Sequence, residues 1–120
     1  MYLLLVAHGS NRGNSNEEIE TLARKLSYLG AEYEGVDYAF LELAEPNVVD
    51  ALENLIAKGA ESILILPYFL AAGKHVVKDM PAEIAKVKEA YPNIEIKLAP
   101  HLGAAEDIPR LLLRVAANVH

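Results

Sequence analysis

The chain has 120 residues, 52% of them hydrophobic and 23% charged, with a net charge of −6 and no cysteine. That length suits a single domain over residues 1–120 with one core. The negative balance argues against a nucleic-acid surface, and the absence of cysteine excludes a disulfide framework or a thiolate metal site. No apolar run approaches membrane-spanning length, and no basic segment precedes the first one, so a cytoplasmic protein with no membrane partner is expected. An anionic small ligand is not excluded, since charges farther than about 8 Å are largely screened at physiological salt.

The first strand is expected over about Tyr2–Ala7, where near-continuous apolar character suits a parallel strand buried on both faces. A polar loop follows, and Asn16 is placed to cap a helix with Ile19, Leu22, Ala23, Leu26 and Leu29 along one face, ended by Gly30. Val36–Leu43 reads as the second strand. Pro46 then falls where a first helical turn tolerates proline, and Val48, Val49, Leu52, Leu55 and Ile56 form the inward stripe up to Gly59.

The third strand is Ser62–Leu66, running on toward Tyr68, with a long loop and then a helix from about Pro81 to Tyr91. The fourth is Ile94–Ala99, followed by Pro100-His101-Leu102-Gly103 and a helix from about Asp107 with Ile108, Leu111, Leu112, Val115 and Val119 on one face. Four βα units with right-handed crossovers predict a three-layer α/β sandwich, a four-stranded parallel sheet flanked by helices in the flavodoxin-like manner. The two halves share a plan but no residue-level repeat.

This topology collects chemistry at one edge. His8, His75 and His101 all fall just beyond the carboxyl ends of strands, and Glu42 lies near the end of the remaining one, with Glu45 close by. Open α/β sheets bind ligands at that edge. A lone loop histidine is most often a solvated side chain. Two imidazoles and a carboxylate from neighbouring strand ends make an open divalent-metal site an equal alternative, and imidazole suits cobalt, nickel, iron and zinc. A free imidazole also titrates near about pH 6.5, where proton transfer is useful.

The turn reading is preferred for His101. Gly9-Ser10-Asn11-Arg12-Gly13 matches neither the P-loop nor the dinucleotide pattern, and its small residues suit close backbone approach or an ordinary turn. Arg12, Lys74 and Lys78 flank the histidine loops and are placed to meet ligand carboxylates. Tyr68–Ala72 is apolar where a loop should turn polar. It either packs on the core or forms a wall for a flat ligand or a partner.

His8-Gly9-Ser10, Glu42 with Ala44-Glu45-Pro46, Pro67-Tyr68-Phe69-Leu70-Ala71-Ala72-Gly73-Lys74-His75 and Asp79-Met80-Pro81 together resemble the small archaeal-type CbiX sirohydrochlorin chelatases. The resemblance covers essentially the whole chain in order. It implies insertion of divalent cobalt, or nickel, into sirohydrochlorin in tetrapyrrole biosynthesis, with no organic cofactor. It also implies a homodimer with the active site between or near the subunits. By that resemblance His8 is proton acceptor and metal ligand and His75 the second metal ligand. Glu45 and the segment Leu70, Ala71, Ala72, Gly73, Lys74 and His75 contact the tetrapyrrole, and Glu42 is added here as a metal-side carboxylate.

Two features depart from the family pattern: Ala7 stands where glycine is common, and the chain lacks a histidine-rich stretch. The alternatives are a metal-binding α/β module without catalysis and a histidine-nucleophile phosphatase. The phosphatase pattern places arginine directly before the histidine, where this chain has Ala7.

Overall fold

The computed structural model describes residues 1–74 and 78–119. Strands β1 (Tyr2–Ala7), β2 (Gly35–Phe40), β3 (Ser62–Pro67) and β4 (Glu95–Leu98) alternate with helices α1 (Gly13–Leu29), α2 (Val48–Ala57), α3 (Met80–Ala90) and α4 (Ile108–Ala117). A single 3-10 turn, Leu102–Ala104, lies between β4 and α4. The sheet order is β2-β1-β3-β4, and every neighbouring pair is parallel. The expected βα order is therefore present.

β2 ends at Phe40 rather than Leu43, yet its pairing with β1 runs on: Leu41 N–H donates to the Ala7 carbonyl and Glu42 N–H to that of His8, both at 3.0 Å. α2 begins two residues after Pro46. Its cap is Asn47, whose side-chain oxygen accepts from the Asp50 N–H at 2.8 Å. This satisfies a donor that a helix start otherwise leaves open.

The first connection steps outward from β1 to β2, and the second returns across β1 to β3. With right-handed crossovers this puts α1 on one face and α2 and α3 on the other, consistent with α1 packing on β1 and β2 and α2 packing on α3. The α2/α3 side carries the core: Leu4, Val6, Ile63 and Ile65 from the strands meet Val48, Leu52, Leu55, Met80, Ile84 and Val87 from the helices. Alternation along the strands turns Leu3, Leu5 and Ala7 to the α1 side.

That second face is only partly covered. α1 buries Ala23, leaves Leu22 and Leu26 half-buried, and leaves Leu29 83% exposed. α4 departs most from the sequence expectation. It forms as a helix, but every residue from Pro109 to Val119 is exposed. Its apolar stripe packs on no sheet face, because the chain leaves β4 through a hydrogen-bonded connection that directs the helix outward.

Candidate active site

The order β2-β1-β3-β4 places the topological switch between β1 and β3, where one connection leaves to each side; at such a point open α/β sheets bind ligands beyond the carboxyl ends of their strands. His8 stands at that point. Leu3 to Ala7 are all buried, and His8 is the first exposed residue after them. Its ring meets the buried Phe69 ring edge-on, with centroids 5.2 Å apart and planes at 80°. Phe69 follows β3 by two residues, so the last turns of the two central strands hold the imidazole between them.

Three local devices fix the His8 loop. Gly9 has φ +96°, a conformation L side chains rarely adopt, and a Cβ there would overlap the Glu42 carbonyl oxygen. The chain can pass Glu42 only because residue 9 has no side chain. Asn16 clamps Ser10 twice: the Ser10 N–H donates to Asn16 Oδ1 at 3.1 Å, and Asn16 Nδ2 donates to the Ser10 carbonyl at 2.9 Å. The expected cap residue is thus a clamp reaching back to the loop, and α1 begins earlier, at Gly13. The Ser10 hydroxyl in turn accepts from the Arg12 N–H at 3.0 Å.

Glu42 is exposed beside His8, joined to it by the backbone bond that extends the β1–β2 ladder. Leu43, next in the chain, has φ 64° and is 60% exposed. A non-glycine residue in that region costs of the order of 1–3 kcal/mol and is often found where function constrains the backbone. The loop closes again where the Phe40 N–H donates to the Pro46 carbonyl at 2.9 Å. Glu45 is exposed and lies with Asp50 and Glu53 along the flank of α2.

The apolar stretch after β3 divides between core and surface. Phe69 is buried, while Leu70 is 73% exposed and Ala71, Ala72, Gly73 and Lys74 are exposed beyond it. Exposed Leu43 and Leu70 therefore follow directly on Glu42 and Phe69, the residues that adjoin His8 from the β2 and β3 sides. His75 lies outside the described residues. Asp79, half-buried at the start of α3, borders the same groove as Leu41 of the β2 loop. Arg12, Lys74 and Lys78 are exposed. Among the described residues no three His, Asp or Glu side chains are grouped to hold a metal ion. His101 opens the 3-10 turn, in keeping with the turn reading, and lines a groove on the α1 side.

Sequence reasoning missed the Asn16 clamp, since an asparagine at a helix start reads first as a cap. It also missed how closely Gly103 approaches the third loop. The Gly103 N–H donates to the Phe69 carbonyl at 2.9 Å, and a Cβ at Gly103 would overlap the Leu70 carbonyl oxygen. A glycine between a histidine turn and a helix carries no local signal of such a contact.

The geometry agrees with likeness to known proteins. The CbiX family profile matches residues 2–119. A sirohydrochlorin cobaltochelatase from Saccharolobus solfataricus is 33% identical over 118 residues, covering 93% of this chain and 90% of that one. One from Sulfurisphaera tokodaii is 28% identical over 110 residues, covering 92% and 86%. Among solved structures, a CbiX protein from Marinobacter aquaeolei VT8 attributed to cobalamin (vitamin B12) biosynthesis superposes with a TM-score of 0.77 at 33% identity. It covers 98% of this chain and 92% of that one. The sirohydrochlorin chelatase SirB from Bacillus subtilis subspecies spizizenii, in complex with cobalt, superposes with a TM-score of 0.82 at 27% identity. It covers 98% of this chain but 50% of that one.

Proposed function

The chain belongs to the CbiX family, and we propose that it is a sirohydrochlorin chelatase that inserts cobalt into the macrocycle, with His8 as the group that receives the pyrrole protons. The observation that carries this assignment is the exposed His8 at the β1/β3 switch, backed by Phe69, with exposed Leu43 and Leu70 in the adjoining loops. Insertion replaces two pyrrole protons with one divalent cation, so a base must face the ring centre. The ring is flat and apolar across its faces with carboxylates around its rim. Leu43 and Leu70 offer apolar contact to such a face, and Arg12, Lys74 and Lys78 offset rim carboxylates.

Cobalt is a substrate and must be released, so a small, open ligand set suits it better than a closed one. His8 and His75 are the proposed ligands, with Glu42 as the carboxylate on the metal side. Glu45 and the segment Leu70, Ala71, Ala72, Gly73, Lys74 and His75 are the proposed macrocycle contacts. Cobalt is preferred to nickel because the curated relatives are cobaltochelatases. Among the described residues no helix is long and apolar enough to cross a membrane, and the cytoplasm is the proposed compartment. The proposed working unit is a homodimer of this one-domain chain, on the ground that it spans half of the SirB chain.

A spectrophotometric insertion assay with sirohydrochlorin and either cobalt or nickel tests this reading. The wild-type chain is expected to accelerate the cobalt reaction, and His8→Ala and His75→Ala to lose that acceleration. Wild-type rates in both variants would refute the mechanism. Cobalt binding with no absorbance change toward the metallated ring would return the chain to a metal-binding module.

A further inference from the structure

Leu43 is a residue whose identity the fold itself does not explain. The pairing of β2 with β1 runs on to Glu42, whose N–H donates to the His8 carbonyl at 3.0 Å. The chain must then return to Phe40, whose N–H donates to the Pro46 carbonyl at 2.9 Å and which forms a parallel bridge with Asn47. Leu43, Ala44 and Glu45 make that reversal. Leu43 takes the left-handed backbone it needs: with φ 64° it is the sole non-glycine residue at positive φ among those described.

Turn chemistry favours glycine or asparagine at such a position. Glycine has no Cβ to meet the following carbonyl, and asparagine can bond its own backbone there. Leucine has neither advantage, and a bulky residue in this region is a true outlier. Core packing does not call for it either. Leu41, two residues earlier, packs against the core, whereas Leu43 stands 60% exposed. Neither the backbone nor the interior selects a large apolar side chain at position 43.

The place of this side chain supplies the second observation. Glu42 meets the His8 loop twice, through its bond to the His8 carbonyl and through its own carbonyl, against which Gly9 is seated so closely that a Cβ would overlap it. Leu43 lies one Cα step of about 3.8 Å beyond that double contact. A tetrapyrrole over the imidazole reaches farther than this step.

We propose that Leu43 is a substrate-binding residue: its left-handed backbone holds the side chain out beside Glu42, where it covers part of one macrocycle face and selects for the flat apolar ring rather than for rim carboxylates or metal. This rests on the chelatase reading above and deepens it. A side chain retained for a ligand against the preference of its own turn has a distinctive signature. Removing it weakens binding while the fold stays as stable or gains stability.

Leu43→Asn is the test. It relieves the backbone and is expected to melt no lower than wild type and up to about 4 °C higher. The exposed 60% of the leucine, once covered by the ring, accounts for about tenfold in affinity. The Kd for metal-free sirohydrochlorin, read by fluorescence titration, and the KM for the ring are therefore both expected to rise about tenfold, with kcat within about twofold. The KM for cobalt and the pH dependence of kcat should not move, since His8 is untouched. Leu43→Met keeps a large apolar side chain on the same backbone and is expected to recover the wild-type Kd without a gain in Tm.

A Leu43→Asn chain that melts well below wild type would assign Leu43 to packing, and one whose mass by light scattering departs from wild type would assign it to a contact between copies. Either overturns the proposal, as does a wild-type Kd in that variant. In those cases cobalt insertion by the wild-type chain leaves the chelatase reading standing. A wild type that neither binds the ring nor inserts cobalt removes that reading and the role of Leu43 together.

Discussion

Gly9→Ala puts the construction of the His8 loop to a quantitative test. Two costs add. A non-glycine residue forced to φ +96° loses about 1–2 kcal/mol to its own backbone. The new methyl also overlaps the Glu42 carbonyl oxygen and approaches the Phe40 Cβ at 3.2 Å, so the Glu42 segment must move, although it is held by the 3.0 Å bond to the His8 carbonyl. Losing that bond costs about 1 kcal/mol. The sum is about 2–3 kcal/mol. With an unfolding entropy of about 2.1 cal/mol/K per residue, each kcal/mol lowers Tm by about 4 °C in a chain of this length, giving a drop of about 8–12 °C.

Calorimetry or thermal circular dichroism reads the stability. The insertion assay should show kcat/KM lower by on the order of tenfold, because the displaced residue adjoins the proposed base. Gly59→Ala is the internal control: its φ is +100°, but nothing lies within 4 Å of the added Cβ. It should lose only the backbone part, about 4–8 °C, and keep its insertion rate. If Gly9→Ala melts no lower than Gly59→Ala and inserts cobalt at the wild-type rate, the close approach to Glu42 does not hold the loop.

Asn16→Ala removes both bonds to Ser10 and should cost about 1–2 kcal/mol in denaturant unfolding, while lowering insertion more than that loss of fold alone implies. Gly103→Ala has no room beside the Leu70 carbonyl and should shift the third loop, read as altered NMR shifts at Phe69 and Leu70 and a raised KM. Leu52→Ala empties a fully buried site between α2 and the sheet and should cost about 2–5 kcal/mol with catalysis by the remaining folded protein intact. Tyr38 donates to Glu20 at 2.9 Å, and that bond, followed by burial, raises its pKa above the ordinary 10.0. The folded chain thus keeps this proton after the unfolded chain has lost it, so stability falls as pH rises past 10.0. Tyr38→Phe should flatten that alkaline decline in pH-dependent urea titrations.

The strands and most helices were legible because each buries a face of fixed period. Leu3 to Ala7 announce a doubly covered strand, and Val48, Ala51, Leu52 and Leu55 a single buried stripe. The same logic misled at α4, whose stripe is as regular as that of α2 yet faces no part of its own sheet. Periodicity reports that a face must be covered, and it is silent on whether the cover belongs to the same chain. Asn16 failed differently. Capping and loop-clamping use the same side-chain amide at the same helix start, and only the path of Ser10 decides between them.

The period of two along the central strands also separates the two surfaces that matter. Leu5 and Leu66 point to the α1 side and line the apolar groove beside α1. His8 and Phe69 follow in the opposite phase, and Phe69 belongs to the core on the α2/α3 side. The proposed base and the apolar groove are therefore a sheet thickness apart, and substitutions on one face need not touch the other. One covalent segment joins them: the stretch from Pro100 to Glu106 walls the groove and, through the Gly103 N–H on the Phe69 carbonyl, holds the loop whose ring backs His8. Any displacement of that wall acts on the loop behind the proposed base through this hydrogen bond and the close backbone contact of Gly103 with Leu70. In this fold, the lining of the groove and the setting of the imidazole share that mechanical link.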